Sequence, residues 1–87
     1  MALTELFGSE KAFRISILAN NYFDNKALAE LGLVVLRLFQ TAREIKVEIA
    51  DSEGIVLSVK APEKLMELML GSLKPCYLEI EVDVEGV

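Results

Sequence analysis

Four segments of the chain alternate apolar and polar residues, and each predicts a strand with one buried face. They cover residues 13–19, 44–50, 55–59 and 76–84, and successive side chains of a strand point to opposite faces of the sheet. The side chains predicted to point inward are Phe13, Ile15, Ile17, Ile45, Val47, Ile49, Ile55, Leu57, Val59, Leu78, Ile80, Val82 and Val84. Because all four segments alternate, the sheet should be covered on one face only.

Two helices are predicted between these strands. Residues 26–42 follow a group of turn and capping residues and carry apolar side chains at helical spacing. The stripe expected to face the core comprises Leu28, Leu31, Val35, Leu38, Phe39 and Ala42. The second helix is predicted at residues 62–70. Pro62 suits its first turn, because the N–H group that proline lacks would have no hydrogen-bond partner there. Gly71 can adopt the left-handed conformation that ends a helix.

The resulting order of elements is βαββαβ, which defines the predicted fold class. It is an α+β, two-layer open-faced sandwich with a four-stranded, mainly antiparallel sheet and both helices on one face. We predict a single domain over residues 1–87, with an N-terminal turn or arm at residues 1–12 and a core at 13–86. A helical turn at residues 3–7, ended by Gly8, belongs to that arm.

Composition narrows the chemistry that this chain can carry. It contains no histidine and one cysteine, Cys76, so the side chains that most often supply nucleophiles, acid–base groups or metal ligands near neutral pH are nearly absent. We therefore expect no enzyme activity, no cofactor and no metal. Cys76 follows Pro75 with no second cysteine or basic cluster nearby, and we expect it to be a small, half-buried structural residue.

The net charge of −5 disfavours two classes of partner. It repels nucleic acid phosphates and anionic lipid headgroups, and the longest apolar stretch, at residues 31–39, is too short to span a bilayer. Together with the unpaired cysteine, this predicts a cytoplasmic protein without a nucleic-acid or membrane partner. Four carboxylates line one face of the last strand, but we expect a solvated face there and no metal site. They belong to Glu79, Glu81, Asp83 and Glu85.

The second helix has more apolar side chains than one core-facing stripe can bury. Five of six residues there are apolar, where one stripe of a short helix buries about three. They are Leu65, Met66, Leu68, Met69 and Leu70. In one interpretation, Leu65, Leu68 and Met69 form the core and the other two fill its margins. In the other, Met66, Met69 and a neighbouring leucine form a protein-docking patch, since methionine adapts to different surfaces.

The element order and the run KLMELMLG at residues 64–71, placed between a strand and the final strand, resemble a known family. The hairpin at residues 44–60 is similar as well. The family is the histidine-containing phosphocarrier protein (HPr) of the bacterial sugar phosphotransferase system, and the resemblance covers residues 13–86. It implies the strand order 1-4-2-3. It also implies a docking surface, because Leu65, Met66 and Met69 match the positions by which this family meets its partner enzymes.

The sequence departs from that family at the positions that carry the family's phosphoryl-transfer chemistry and its regulation. The family's active site is a Gly-Leu-His-x-Arg-Pro stretch, whereas residues 31–37 here read LGLVVLR, and its regulatory serine falls at Lys64. The family also has a third helix after the last strand. None precedes Val87 here, so residues 2–7 or a second subunit should cover part of the sheet. The resemblance therefore implies a degenerate relative without phosphocarrier activity.

The same element order also fits a ferredoxin-like fold, with strand order 4-1-3-2, which would favour a small-ligand-binding or oligomerisation module. The resemblance favours instead a non-catalytic protein-interaction or regulatory domain. Its partner would be another protein or a second copy, and we predict a homodimer, since the apolar excess exceeds what one chain can bury. The predicted contacts are Leu33, Leu36, Leu65, Met66 and Met69.

Overall fold

A computed structural model describes residues 8–20 and 22–85 and contains the predicted order βαββαβ. The elements are β1 (Glu10–Ala19), α1 (Asn25–Thr41), β2 (Glu44–Ala50), β3 (Gly54–Pro62), α2 (Glu63–Ser72) and β4 (Leu78–Glu85). The first strand begins three residues before the predicted start, so residues 10–12 belong to the sheet and not to an arm. The helical turn expected at residues 3–7 lies outside the described residues.

The four strands form one antiparallel sheet in the order β2-β3-β1-β4. Counted from the other edge this is 4-1-3-2, the order expected of a ferredoxin-like fold. The order 1-4-2-3 implied by the phosphocarrier resemblance is therefore wrong. The sequence alternation is the same in both cases, because it fixes which face of a strand is buried and not which strand lies beside it.

One face of the sheet carries the helices and the core, as predicted. The buried side chains come from β1, β3, β4 and both helices, and among the described residues none of them is polar or charged. They are Phe13, Ile15, Ile17, Ala27, Val34, Leu38, Leu57, Val59, Ala61, Met66, Met69 and Leu78. No helix among the described residues covers the opposite face of the sheet. Within the described residues, no helix is both long and apolar enough to cross a membrane.

The core-facing side of α1 differs from the prediction. Ala27, Val34 and Leu38 are buried, whereas Leu28 and Phe39 are 50% and 66% exposed. The predicted stripe is correct for Leu38, which is buried, and for Leu31 and Ala42, which pack against the core, but wrong for Leu28 and Phe39. The apolar residues of α1 cover more than one stripe, and the one that faces the sheet is centred on Ala27, Val34 and Leu38. The helix begins as predicted, with the Asp24 side chain accepting a hydrogen bond from the Ala27 N–H at 2.9 Å.

The first interpretation of α2 is correct for Met69, which lies in the core, and for Leu70, which packs at its margin, but wrong for Met66 and Leu68. The docking patch of the second interpretation is wrong for both methionines. Met66 and Met69 are buried and face the sheet, Leu65 and Leu70 are half-buried, and Leu68 is 65% exposed. Spaced three residues apart, the two methionines lie on the same side of the helix, and they fill the core because their flexible side chains adapt to the space between helix and sheet. They are therefore not available as docking contacts.

The ends of the elements show which local signals determined them. The hairpin is closed by Asp51, whose carboxylate accepts hydrogen bonds from the N–H groups of Glu53 and Gly54 at 2.9 and 3.0 Å. Pro62 is the last residue of β3 and precedes α2, so it does not lie in the first turn. Gly71 lies inside α2 without a positive φ, and the stop predicted there was wrong.

The edge strand β2 departs from simple alternation. Its register against β3 shifts between Val47 and Ile49, which marks a β-bulge. Ile45 and Val47 pair with the inward residues of β3, but Ile49 pairs with Val56 and so lies on the open face. The inward orientation predicted for Ile49 is therefore wrong. Val47 faces the helix side and is nevertheless 59% exposed.

The positions of Met66 and Leu68 give a paired test of this core. Met66→Ala should lower the free energy of unfolding by about 2–5 kcal/mol, because it removes a fully buried side chain and leaves a cavity. Leu68→Ala should change it by less than about 0.5 kcal/mol, since that side chain is largely exposed. Urea unfolding of both variants measures the difference, and equal losses would contradict the assignment of Met66 to the core.

Candidate functional site

The side chain of Glu30 on α1 holds the segment that leads into β4. Its carboxylate accepts hydrogen bonds from three consecutive backbone N–H groups, those of Cys76, Tyr77 and Leu78, at 2.9, 2.8 and 3.0 Å. Consecutive N–H groups that converge in this way form an anion-binding concavity. Here a side chain of the same chain occupies it, so this carboxylate acts as a structural clamp.

Further contacts attach the same segment to the end of β1. The backbone N–H of Asn20 donates to the Tyr77 carbonyl at 3.0 Å, and its side-chain amide donates to the Cys76 carbonyl at 3.1 Å. The Lys26 ammonium lies 5.8 Å from the centre of the Tyr77 ring, within cation–π range. Cys76 itself is exposed, so the expected half-buried position was wrong.

A shallow pocket of about 210 Å³ lies between α1 and the segment that follows α2. Its lining residues are Glu30, Leu33, Val34, Arg37, Ser72, Leu73, Lys74 and Pro75. Two cations, Arg37 and Lys74, stand at its edge, but both oxygens of Glu30 are already used by the clamp. The pocket brings Leu33 next to polar groups without enclosing a cavity.

The outward side of α1 carries a second set of apolar positions, which we call the α1 stripe. It consists of Leu28, Gly32, Val35, Leu36 and Phe39. At 100° per residue these five positions span about 100° of the helix surface, and none of them is charged. Leu28, Leu36 and Phe39 are each at least half exposed. A helix with one stripe on the core and a second in solvent has room for a second packing partner.

Gly32 lies in the middle of the α1 stripe. Glycine inside a helix costs about 1 kcal/mol relative to alanine, and a Cβ atom added at Gly32 would meet no other atom within 4 Å. Packing within the described residues therefore does not require a glycine at this position. Its absent side chain leaves the backbone of α1 open to close approach from outside.

The α1 stripe runs beside the free edge of β2. At one end, Leu28 shares a pocket of about 330 Å³ with residues 50–52 and 55 of the β2–β3 hairpin. At the other end, only Ala42 and Arg43 separate α1 from β2. Between them, Val47 adds an exposed apolar side chain on the helix-facing side of the sheet. Leu28, at one end of the stripe, and Val47 thus both expose apolar side chains on the β2 side of the molecule.

An ion pair fixes the turn between α1 and β2. The Arg43 guanidinium donates to both carboxylate oxygens of Glu10, at 2.7 and 2.9 Å. This hydrogen bonding, together with the charge of Glu10, raises the pKa of Arg43 above its ordinary value. The pair attaches the start of β2 to the start of β1, although its exposure limits its contribution to stability.

On the open face of the sheet, charged side chains follow one another along individual strands. The four carboxylates predicted on β4 lie on this face, and β1, not β3, is their neighbour. Arg14 on β1 approaches Glu85 at 3.8 Å, while Lys60 on β3 pairs with Glu44 on β2 at 3.5 Å. Within residues 8–20 and 22–85, no three His, Cys, Asp or Glu side chains gather as they would around a metal ion.

The predicted contact residues fall into different environments. Leu33 and Leu36 are exposed, Leu65 is half-buried, and Met66 and Met69 are buried. The structure therefore does not bring the five together as one surface. Sequence reasoning missed Leu28, Phe39 and Gly32, although one signal was available. The apolar residues of α1 fit two stripes, one through Ala27, Leu31, Val34 and Leu38, and one through Leu28, Gly32, Val35 and Phe39.

The chain matches no protein-family model, no curated protein and no solved structure. The phosphocarrier resemblance thus remains a sequence-based prediction, while the strand order that it implied is wrong.

The clamp around Glu30 can be tested with a neutral variant. Glu30→Ala should lower the free energy of unfolding by about 1–2 kcal/mol, since three N–H groups lose a charged acceptor. Amide hydrogen exchange at residues 76–78 should accelerate in the same variant. Glu67→Ala on the exposed side of α2 serves as the control, and it should change neither quantity. Unchanged exchange at residues 76–78 in Glu30→Ala would contradict the clamp.

Proposed function

We propose that this chain is a non-catalytic protein-association module, and that the protein it binds is a second copy of itself. The observation that carries the proposal is the exposed α1 stripe beside the free edge of β2. Its large members, Leu28, Leu36 and Phe39, stand at helical spacing around Gly32. Single exposed apolar residues are ordinary, but a contiguous patch marks an interaction surface.

The physical driving force for association is the burial of this patch. Each apolar side chain that is removed from water stabilises the complex by roughly 25 cal/mol per Å² of buried apolar area. An aromatic residue such as Phe39 typically contributes a large share of the binding free energy of an interface. The absence of charge on the α1 stripe matters equally, because a partner need not neutralise buried charges there.

Two features support a second copy as the partner. A twofold dimer places the same patch against itself, so an uncharged apolar stripe is complementary to its own copy without further adaptation. The α1 stripe carries no charge, and the densest row of negative charge lies on β4 at the far edge of the sheet, whereas on β2 the acidic Glu44 and Glu48 are interspersed with Lys46. Repulsion between two copies is therefore weakest where the α1 stripes meet.

The small-ligand alternative rests on less. The pocket beside Leu33 measures about 210 Å³, below the roughly 300–1,000 Å³ of typical ligand sites. The larger hollows, of about 330 Å³ beside Leu28 and about 370 Å³ beside Leu65, fall within that range but are open to solvent and mainly apolar. The carboxylate of Glu30 that lines it is engaged in the clamp. We include in the proposal a cytoplasmic location, with which the free thiol of Cys76 is compatible.

The proposal predicts that Phe39→Lys weakens self-association. The variant places a charge in the apolar stripe, and loss of an aromatic anchor of about 2 kcal/mol corresponds to a roughly 30-fold weaker dimer. Leu68→Lys is the matched control, because it is equally exposed and makes the same change in net charge on α2. Sedimentation equilibrium at protein concentrations of about 1–500 μM, on the order of common dimer dissociation constants, measures the dimer affinity of both variants. The proposal would be wrong if the wild-type chain stays monomeric over this range, or if both variants lose the same amount of dimer affinity.

A second variant separates association from folding. Gly32→Leu should stabilise the monomer by roughly 0.5–1 kcal/mol through higher helix propensity, since an added Cβ atom meets nothing in the chain. The same variant should weaken the dimer, because the new side chain occupies space that a neighbouring surface needs. Thermal unfolding at low concentration and sedimentation provide the two measurements. A stabler monomer with an unchanged dimer would exclude close approach at Gly32.

A further inference from the structure

The outer side of β4 is the edge of the sheet that lies farthest from β2. Among the described residues, β4 pairs with β1 alone, in a continuous register from Leu78 to Glu85 without a bulge. Within that part of the chain, the backbone N–H and C=O groups on its other side therefore have no strand partner. Such an edge is a template that an extended segment of another chain can join through main-chain hydrogen bonds.

The two faces of β4 differ sharply in chemistry. Carboxylates lie on the open face, and apolar side chains lie on the helix face. The acidic set is Glu79, Glu81, Asp83 and Glu85, and the apolar set is Ile80, Val82 and Val84. Arg14 approaches Glu85 at 3.8 Å, but no cation of the described residues lies within ion-pair distance of the other three carboxylates. A strand added beside β4 therefore meets uncompensated negative charge on one face.

An apolar groove follows β4 on the helix face. It lies between β4 and the end of α2, measures about 300 Å³ and is lined by apolar side chains, all of them half-buried. These are Leu70, Leu73, Pro75, Ile80 and Val82. Further along the same face, Val84 is 53% exposed. The helix face of β4 is therefore partly in solvent, and apolar side chains of an added strand have a surface to pack on.

We propose that β4 is a docking edge for an extended segment of another protein in which basic and apolar residues alternate. The segment adds to the sheet as a fifth strand, with its lysine or arginine side chains opposite the carboxylates and its apolar side chains over the groove. Charge complementarity argues for this occupant, together with the period of two, because a strand places every second side chain on the same face. The site is separate from the α1 stripe, so the inference does not rest on the proposed self-association.

The spacing and the sign of the charges disfavour other occupants. The carboxylates recur about every 6.6 Å along β4, which is the length of two strand residues. Alternate side chains of a partner strand have that spacing, whereas a helix repeats every 3.6 residues and does not match it. The β4 strand of a second copy would oppose carboxylates to carboxylates. Nucleic acids and anionic membranes carry charge of the same sign as this edge.

A synthetic peptide, KVKVKVKV with blocked ends, tests the proposal on the full chain. NMR titration should detect binding, with chemical-shift changes concentrated at residues 79–85 and at Leu73. The control peptide KTKTKTKT keeps the charge and the strand propensity but removes the apolar face. The control KKKKVVVV keeps the composition but not the alternation. Both controls should bind about tenfold more weakly. Equal binding of all three peptides would reduce the contact to general charge attraction and overturn the proposal.

Backbone methylation of the peptide tests whether it binds as a strand. In a strand, the N–H groups of alternate residues point toward one neighbour and the remaining N–H groups point away from it. Methylating every second N–H therefore blocks one edge of the peptide and leaves the other edge available. At least one of the two half-methylated forms of KVKVKVKV should retain its affinity, and the form methylated at every residue should lose it. Unchanged binding of the fully methylated form would contradict addition to the sheet.

Charge reversal in the protein tests the location of the site. Glu81→Lys/Asp83→Lys should weaken the binding of KVKVKVKV about tenfold, because two attractive pairs become repulsive. The same variant should gain affinity for EVEVEVEV, which also shows that it is folded. Glu48→Lys/Glu53→Lys is the matched control, because it changes the net charge equally, from −5 to −1, at exposed positions of the β2–β3 hairpin. Equal losses in both double variants would overturn the assignment to β4.

The outcomes separate this inference from the proposed function. Phe39→Lys should weaken self-association and leave the affinity for KVKVKVKV unchanged. Dissociation of the dimer by this peptide would assign the β4 edge to a second copy and overturn the docking edge. No detectable binding of KVKVKVKV at millimolar concentration would overturn it as well, whether or not the chain forms a dimer.

Discussion

The contact between Glu30 and the segment before β4 determines how the rest of the structure is arranged. Three N–H groups converge on one carboxylate, and this fixes the rotation of α1 about its own axis. With Glu30 directed toward β4, Ala27, Val34 and Leu38 face the sheet, and Leu28 and Phe39 cannot. The polar contact on one side of the helix and the packing of these three residues on another thus agree on which apolar residues remain in solvent.

The alternation of the strands predicted most of the sheet, since a period of two leaves little freedom in which face is buried. The inward positions of β1 and β3 agree with the structure, and only the bulge in β2 moved Ile49 to the other face. The strand order could not be predicted in the same way, because each strand pattern fits several neighbours. The resemblance of residues 64–71 to the phosphocarrier family favoured the strand order 1-4-2-3, which is wrong. In the structure those residues belong to α2, which packs on the core.

The candidate site was harder to predict than the fold, because the apolar residues of α1 satisfy two helical stripes. Hydrophobicity alone favours the larger Leu28 and Phe39 over Ala27 and Val34. The orientation observed lets Glu30 reach hydrogen-bond partners 46 to 48 residues away, and no local pattern contains that contact. On α2, the two methionines were expected to be adaptable at a surface, but the same flexibility serves equally well to fill an irregular interior. Leu33 and Leu36, which owe their exposure to their position on the helix, were predicted as contacts and are exposed.

The acidic edge of β4 has a consequence for the size of any assembly. A sheet with two receptive edges can recruit copies without limit, and such growth leads to fibres. In this molecule the carboxylates from Glu79 to Glu85 make one edge unreceptive to itself, so two copies cannot add to each other through their β4 strands. The row of negative charge on β4 thus protects this edge of the sheet against open-ended growth into fibres.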